Sequence, residues 1–262
     1  MNVPRNEIDR LQLLKNLLEN IEIPDINGFL CVYNRRNKTE FYHSFWDKTK
    51  QKEIRTYLNK ENMHIVKDLA MKSYLEDLRN VLNAVEEAFD SKASTDILKS
   101  IDNIYESYSP IKKTLVEPIM PTYQMMLDKW KSSCIKSTYP FSSSGIYTKK
   151  GERVRSKSEK ILADIFYDKG IEYVYEARLD LSDGSMIYPD FTFLHPRTRE
   201  FIYWEHNGKM NDPNYINRAI MKIIRYDRDG IKISDRLVIT YETDNISLDQ
   251  GLVESLINQY LL

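Results

Sequence analysis

The apolar positions of the first hundred residues fall mostly at helical spacing. Ile8, Leu11, Leu14, Leu18 and Ile21 form a 3.6-residue stripe, with Asn6 placed as its N-cap. Gly28 opens a change of period, and Phe29–Tyr33 and Glu40–Phe45 read as two strands around the polar loop Asn34–Lys38. From about Lys52 to Phe89 the helical pattern returns. Met71, Leu75, Leu78, Leu82, Val85 and Phe89 recur at alternating steps of four and three. Such a seam suits either a long helix packed in its own domain or a helix that meets a protein partner or a second copy. Residues 106–146 then carry Pro110, Pro118, Pro121, Pro140 and the run Ser142–Ser144. Proline breaks regular elements and serine is readily solvated, so the sequence divides best near residue 145. A mainly helical module with a small hairpin and a linker is expected over 1–145, and a second domain over 146–262.

The second half is punctuated more clearly. Ser156–Lys169 is predicted as a helix closed by Gly170 at C′. Glu172–Leu181 alternates as a strand, Ser182-Asp183-Gly184 is a turn, Met186–Leu194 is a second strand, and Glu200–His206 is a third after a loop. Pro213–Asp229 is a helix stopped by Gly230, Arg236–Glu242 a fourth strand, and Leu248–Leu262 a closing helix. Helix, three antiparallel strands, helix, strand and helix make a modest α/β sandwich.

Composition narrows the function classes. Thirty-eight Lys and Arg against thirty-nine Asp and Glu give a formal charge of −1, so any basic surface is local. Cys31 and Cys134 are far apart, which argues against a disulfide framework or a structural zinc site. No apolar run approaches the roughly 18 residues that cross a bilayer, and the first residues do not read as a signal peptide. A cytoplasmic protein with no membrane partner is expected. Walker A, G-x-G-x-x-G, G-x-S-x-G and H-E-x-x-H motifs are missing from the sequence.

The chemistry concentrates in Tyr188-Pro189-Asp190-Phe191-Thr192-Phe193 and Phe201-Ile202-Tyr203-Trp204-Glu205-His206. Each segment sets one carboxylate among aromatic strand residues, where burial is costly unless the charge is paired. Asp190 and Glu205 lie nearly equidistant from the hairpin centre at residue 197, so they approach as cross-strand neighbours. Two close carboxylates repel unless a proton or a cation lies between them, and a hard ion such as Mg²⁺ suits oxygen donors better than zinc does. A solvated pair of strand-end acids reads equally well from spacing. Glu159 is the third carboxylate. Ser156-Lys157-Ser158-Glu159 matches a capping box, yet helical spacing also sets Glu159 beside Leu162, Ala163 and Phe166, at the edge of the face toward the sheet. Lys149, Lys150, Arg153, Arg155, Lys157 and Lys160 cluster before and within that helix, as a phosphate grip or as an ordinary solvated face.

A helix bearing Glu, a strand ending in Pro-Asp, a hairpin and a strand bearing Glu resemble the PD-(D/E)XK, restriction-endonuclease-like nuclease superfamily. The resemblance covers residues 153–242, and Tyr203-Trp204-Glu205-His206-Asn207-Gly208 is similar to a variant in bacterial and phage members. It implies an αβββαβ core and a Mg²⁺- or Mn²⁺-dependent nuclease acting on nucleic acid, DNA above all, in phage biology or in defence against mobile DNA. Asp190, Glu205 and Glu159 would hold the metal, which would activate a water for attack on phosphorus. One position departs from the pattern: the lysine expected two residues after Glu205 is replaced by Asn207. Some members place it on a neighbouring helix, and Lys222 is the candidate, aligned with Tyr215, Arg218 and Tyr226 on one helical face, Tyr226 being assigned to substrate. Lys209 and His206 are alternatives, although His206 should point away from Glu205 across the strand. A degenerate nuclease fold that binds nucleic acid or protein without cutting is the rival. A glycosidase-like carboxylate pair is disfavoured, because adjacent hairpin strands leave no room for a sugar ring.

Overall fold

The computed structural model describes residues 7–35, 38–89, 97–140 and 145–262, so the Asn6 cap and Ser142–Ser144 lie outside the described residues. The chain divides into two units, Met1–Met125 and Met126–Leu262, the division falling about twenty residues before the expected boundary near residue 145. No helix among the described residues is long and apolar enough to cross a membrane.

In the first unit the leucine stripe forms α1 (Glu7–Glu19). The next segments form an antiparallel sheet of β1 (Phe29–Arg35), β2 (Lys38–Asp47) and β3 (Lys52–Leu58). The third strand corrects the expectation of helix from Lys52. Ile54, Thr56 and Leu58 alternate with polar and aromatic residues, and β3 pairs with β2 from Asp47↔Lys52 to Phe41↔Leu58. Pairing with a ready-made neighbour outweighed the helix preference of its Lys and Glu. A 3₁₀ turn at Lys60–Asn62, capped by the Asn59 side chain, then starts α2 (Met63–Phe89). Leu75, Leu78 and Leu82 of the seam are buried with Leu11, Leu14, Leu58 and Leu98, so their own unit takes them up. The side chains of Val85 and Phe89 lie outside the described residues. After α3 (Ile97–Glu106), the proline-rich stretch is helical where a linker was expected: α4 (Pro110–Leu115) and α5 (Tyr123–Ser133), the last crossing the division between the units. Pro110 sits in the first turn of α4 behind the Ser109 cap, a position where proline starts a helix and does not break one.

The second unit begins with the small hairpin β4 (Ile146–Tyr147) and β5 (Arg153–Val154) and with α6 (Lys157–Asp168). Ser156 caps α6, accepting from Glu159 N, and Gly170 follows with φ +67° as the predicted C′ residue. The expected first strand is two short pieces, β6 (Val174–Tyr175) and β7 (Leu179–Asp180), broken where Glu176 turns to φ +46°. The second is likewise β8 (Met186–Ile187) and β9 (Phe191–Leu194), parted by Pro189, which lacks the ladder N–H. Then come β10 (Phe201–Asn207), α7 (Pro213–Arg228), β11 (Leu237–Tyr241) and α8 (Gln250–Tyr260).

The main sheet runs β11-β10-β9-β6; β9 is antiparallel to β6 and β10, and β11 returns parallel to β10 through α7. Trp204 and Val238 pack on one face with Leu162 and Phe166 of α6 and Val253 and Ile257 of α8. Tyr203 and Leu237 pack on the other with Tyr226 of α7. The architecture is mixed α/β, a sheet between helical layers.

Candidate carboxylate and lysine site

The register of β9 and β10 sets Trp204 opposite Phe191, and one step further Glu205 falls beside Asp190. Asp190 directly follows the Pro189 break. Its carbonyl accepts from Glu176 N at 3.1 Å, and its Oδ2 accepts from His206 N at 2.6 Å. Side chains alternate along β10, so Glu205 and Tyr203 turn toward α7 while Trp204 and His206 turn away. Buried Glu205 receives two donors from α7: Tyr226 Oη at 2.5 Å and Lys222 Nζ at 2.7 Å. These residues are four apart, one above the other on the helix. Lys222 Nζ also donates to the Tyr188 carbonyl at 2.8 Å, which ties α7 to the turn carrying Asp190.

The charges follow from this crowding. Burial first, and the neighbouring Glu205 second, hold the Asp190 carboxyl well above its ordinary range, with Lys222 opposing them. Burial works against the charge of Lys222, but Glu205 and Asp190 outweigh it and keep the ammonium above its usual value. Burial and then Glu205 push the Tyr226 phenol well up, so it remains a proton donor. An open groove of about 730 Å³ reaches Asp190 and Lys222, with Tyr139, Glu176, Tyr188 and Arg218 on its walls.

Glu159 belongs to a different network. Its carboxylate accepts from Ser156 Oγ at 2.9 Å, Arg155 N at 2.9 Å and the Tyr175 hydroxyl at 2.6 Å. The capping half of the predicted box forms, while the return bond goes to Arg155 N. Its charge still reaches Asp190 and raises that carboxyl further. Among the described residues no group of three or more His, Cys, Asp and Glu side chains converges as a metal cage. The donors at the site are nonetheless all oxygen, and Mg²⁺ binds through one or two carboxylates while keeping waters and substrate phosphates. Asp190 and Glu205 therefore fit a hard divalent ion in donor type and number, and the like-charge pressure on Asp190 is what a cation would relieve.

The remaining predicted residues are spread out. Lys149 pairs with Asp168 at 2.5 Å, Lys150 with Glu172 at 3.6 Å, and Lys160 with Asp164. Arg155 makes a two-pronged bond to Glu176 and donates to the carbonyls of Tyr139 and Pro140, so it braces the chain beside the groove. Lys157 is exposed at the start of α6, and Arg153 lies on β5. Tyr226, expected to touch substrate, is fully buried beneath Glu205. His206 is enclosed between Thr240 Oγ1 and Glu242 Oε2, each at 3.1 Å, and Lys209 is exposed beyond β10. Sequence reasoning missed Tyr175 and the Tyr188 carbonyl. The only cue to Tyr175 was an aromatic in a strand next to the Glu159 helix, and a backbone carbonyl leaves none.

No protein-family profile matches the chain, and no solved structure matches it. The chain is 30% identical over 125 residues to the uncharacterized protein MJ1519 of Methanocaldococcus jannaschii. That alignment takes in 42% of this chain and 10% of the relative, so the chain matches a small part of a much longer protein.

Proposed function

We propose that the second unit is a metal-dependent nuclease that hydrolyses phosphodiester bonds, with DNA as its substrate. The observation that carries this reading is Lys222, whose ammonium bonds Glu205 and the Tyr188 carbonyl beside Asp190. It supplies from α7 the cation that position 207 lacks. The order of elements around these residues, and the open groove above Asp190, support the same reading.

Asp190 and Glu205 would hold Mg²⁺ or Mn²⁺. Bound there, the ion would supply charge neutralisation at a phosphate oxygen and a more acidic water. The chain's own residues do the positioning. His206 N–H fixes one oxygen of Asp190, and Tyr226 fixes one oxygen of Glu205. Lys222 stays protonated through neutral pH and brings a positive charge to the groove where phosphate would lie. A second reading, a degenerate fold that binds without cutting, is favoured by one observation: three donors fill Glu159, which leaves two acids for a metal.

Cleavage of plasmid and single-stranded DNA with Mg²⁺, Mn²⁺ or EDTA tests the two. Asp190→Ala is expected to lose both cleavage and Mg²⁺ binding by calorimetry while its circular dichroism is unchanged. Lys222→Ala is expected to keep the metal and lose turnover by about 10²-fold or more. Wild-type turnover in Asp190→Ala refutes the site; binding without cutting under every metal selects the second reading.

A further inference from the structure

The β1-β2-β3 sheet of the first unit has two faces of opposite character. Leu30, Phe41 and Leu58 face the unit's own core. The register sets Cys31 opposite Tyr42, Tyr33 opposite Glu40, Tyr42 opposite Tyr57 and Trp46 opposite Glu53. Since side chains alternate along a strand, Phe29, Tyr33, Tyr42, Trp46 and Tyr57 all share the outer face. Four of them are exposed: Phe29 by 54%, Tyr33 by 38%, Trp46 by 59% and Tyr57 by 45%. Tyr42 stands between Tyr33 and Tyr57 with edge-to-face ring contacts at 5.5 and 5.4 Å. An aromatic-rich face this open to water marks an interaction surface, with Ser44, Arg55 and Glu53 set between the tyrosine cluster and Trp46.

Cations run through this face. Arg55 donates to the Tyr33 hydroxyl at 2.8 Å, and Lys38 Nζ lies 5.6 Å from the Tyr57 ring centre. Lys48 and Lys50 are exposed in the turn joining β2 to β3. Residues 29–58 hold seven Lys and Arg against three Asp and Glu, a formal +4 in a chain whose total is −1. The sheet is thus a basic region of an otherwise acidic molecule, with Glu40 and Glu53 paired to Lys38 and Arg55 on the same face.

The partner that offers both flat π-faces and a regular line of negative charge is nucleic acid, and its base faces are open only where strands are unpaired. An acidic lipid surface would attract the same cations. However, the hydroxyls of Tyr33 and Tyr42 are engaged with Arg55 and Glu40 on this face, a polar arrangement unsuited to acyl chains. We propose that the outer face of this sheet is a binding platform for single-stranded nucleic acid. Unpaired bases stack on Trp46, Tyr57 and Tyr33, and phosphates meet Lys38, Arg55, Lys48 and Lys50. This inference is independent of the carboxylate site in the second unit.

The test is fluorescence anisotropy of the full chain in EDTA, where metal-dependent cutting is suppressed. The probes are a labelled fifteen-nucleotide oligothymidine, a blunt hairpin duplex of equal charge, and phosphatidylserine vesicles. Wild type is expected to prefer the single strand. Trp46→Ala and Tyr57→Ala should each weaken that binding about tenfold with unchanged circular dichroism, while Trp46→Phe retains most of it. Lys48→Glu with Lys50→Glu should lower affinity and flatten its salt dependence. Equal affinity for strand and duplex, or indifference to loss of the rings, overturns the proposal. So does vesicle binding without oligonucleotide binding, or ring-dependent self-association in sedimentation. Because cleavage is not the readout, loss of the nuclease assignment would leave this result standing, and the reverse holds too.

Discussion

At the scale of single residues, the site is a buried carboxylate with its donors assigned one by one. Glu205 is buried, and Tyr226 and Lys222 supply its hydrogen bonds in place of bulk solvent. Tyr226→Phe removes a hydrogen bond to a charged group without changing the ring's packing. It is expected to cost about 1.5–3 kcal/mol, read from urea unfolding, and to leave a smaller loss in the double variant with Glu205→Gln. Much of this was legible in the sequence. Equal distances from the hairpin centre brought Asp190 and Glu205 together, and helical spacing picked out both Lys222 and Tyr226. The role of Tyr226 was not legible, because spacing gives the face of a helix and not the depth at which a side chain ends. Arg155 shows the converse: its charge and its place before a helix suggested phosphate, while Glu176, distant in sequence, claims it in the fold.

At the scale of elements, periodicity was a sound guide wherever one face was apolar. The stripe of α1, the seam of α2 and the turns around α6 and α7 were readable for that reason. The seam also had two readings, and the burial of Leu75, Leu78 and Leu82 within their own unit favours the first. Leu78→Ala is expected to cost about 2–5 kcal/mol through the cavity it leaves, with no change in oligomeric state by sedimentation equilibrium. A variant that keeps its stability but alters association would restore the partner reading. The misread elements have physical causes of their own. β3 is rich in Lys, Glu and Arg and became a strand because β2 offered a full ladder. Glu176 and Pro189 cut two alternating runs where the chain leaves the main sheet, and the second cut is what frees Asp190 to face the groove.

At the scale of the molecule, a charge near zero conceals strong local differences, and these set how stability responds to acid. Glu106 is an example in the first unit: burial opposes its charge, but Lys113 at 2.6 Å and the Thr122 hydroxyl at 2.7 Å outweigh it and hold its carboxyl below the usual value. A carboxyl depressed in the folded state contributes stability above its unfolded pKa, and that contribution fades as pH falls through the lower folded value. The melting temperature of Glu106→Gln should therefore lie below wild type at pH 7, with the two curves converging in acid. Parallel curves down to pH 2 would show that the charge of Glu106 contributes nothing.

The placement of two tryptophans gives the protein an optical consequence. Trp204 is fully buried, with its indole N–H on Thr240 Oγ1 at 3.1 Å, in the strand position adjoining Glu205. Trp46 stands in solvent on the aromatic sheet. One indole emits from a dry interior and resists collisional quenchers, while the other is open to iodide and to anything that stacks upon it. Of the chain's three tryptophans, these two thus report from beside its two chemically distinct surfaces, while half-buried Trp130 packs against Phe201 as a third emitter.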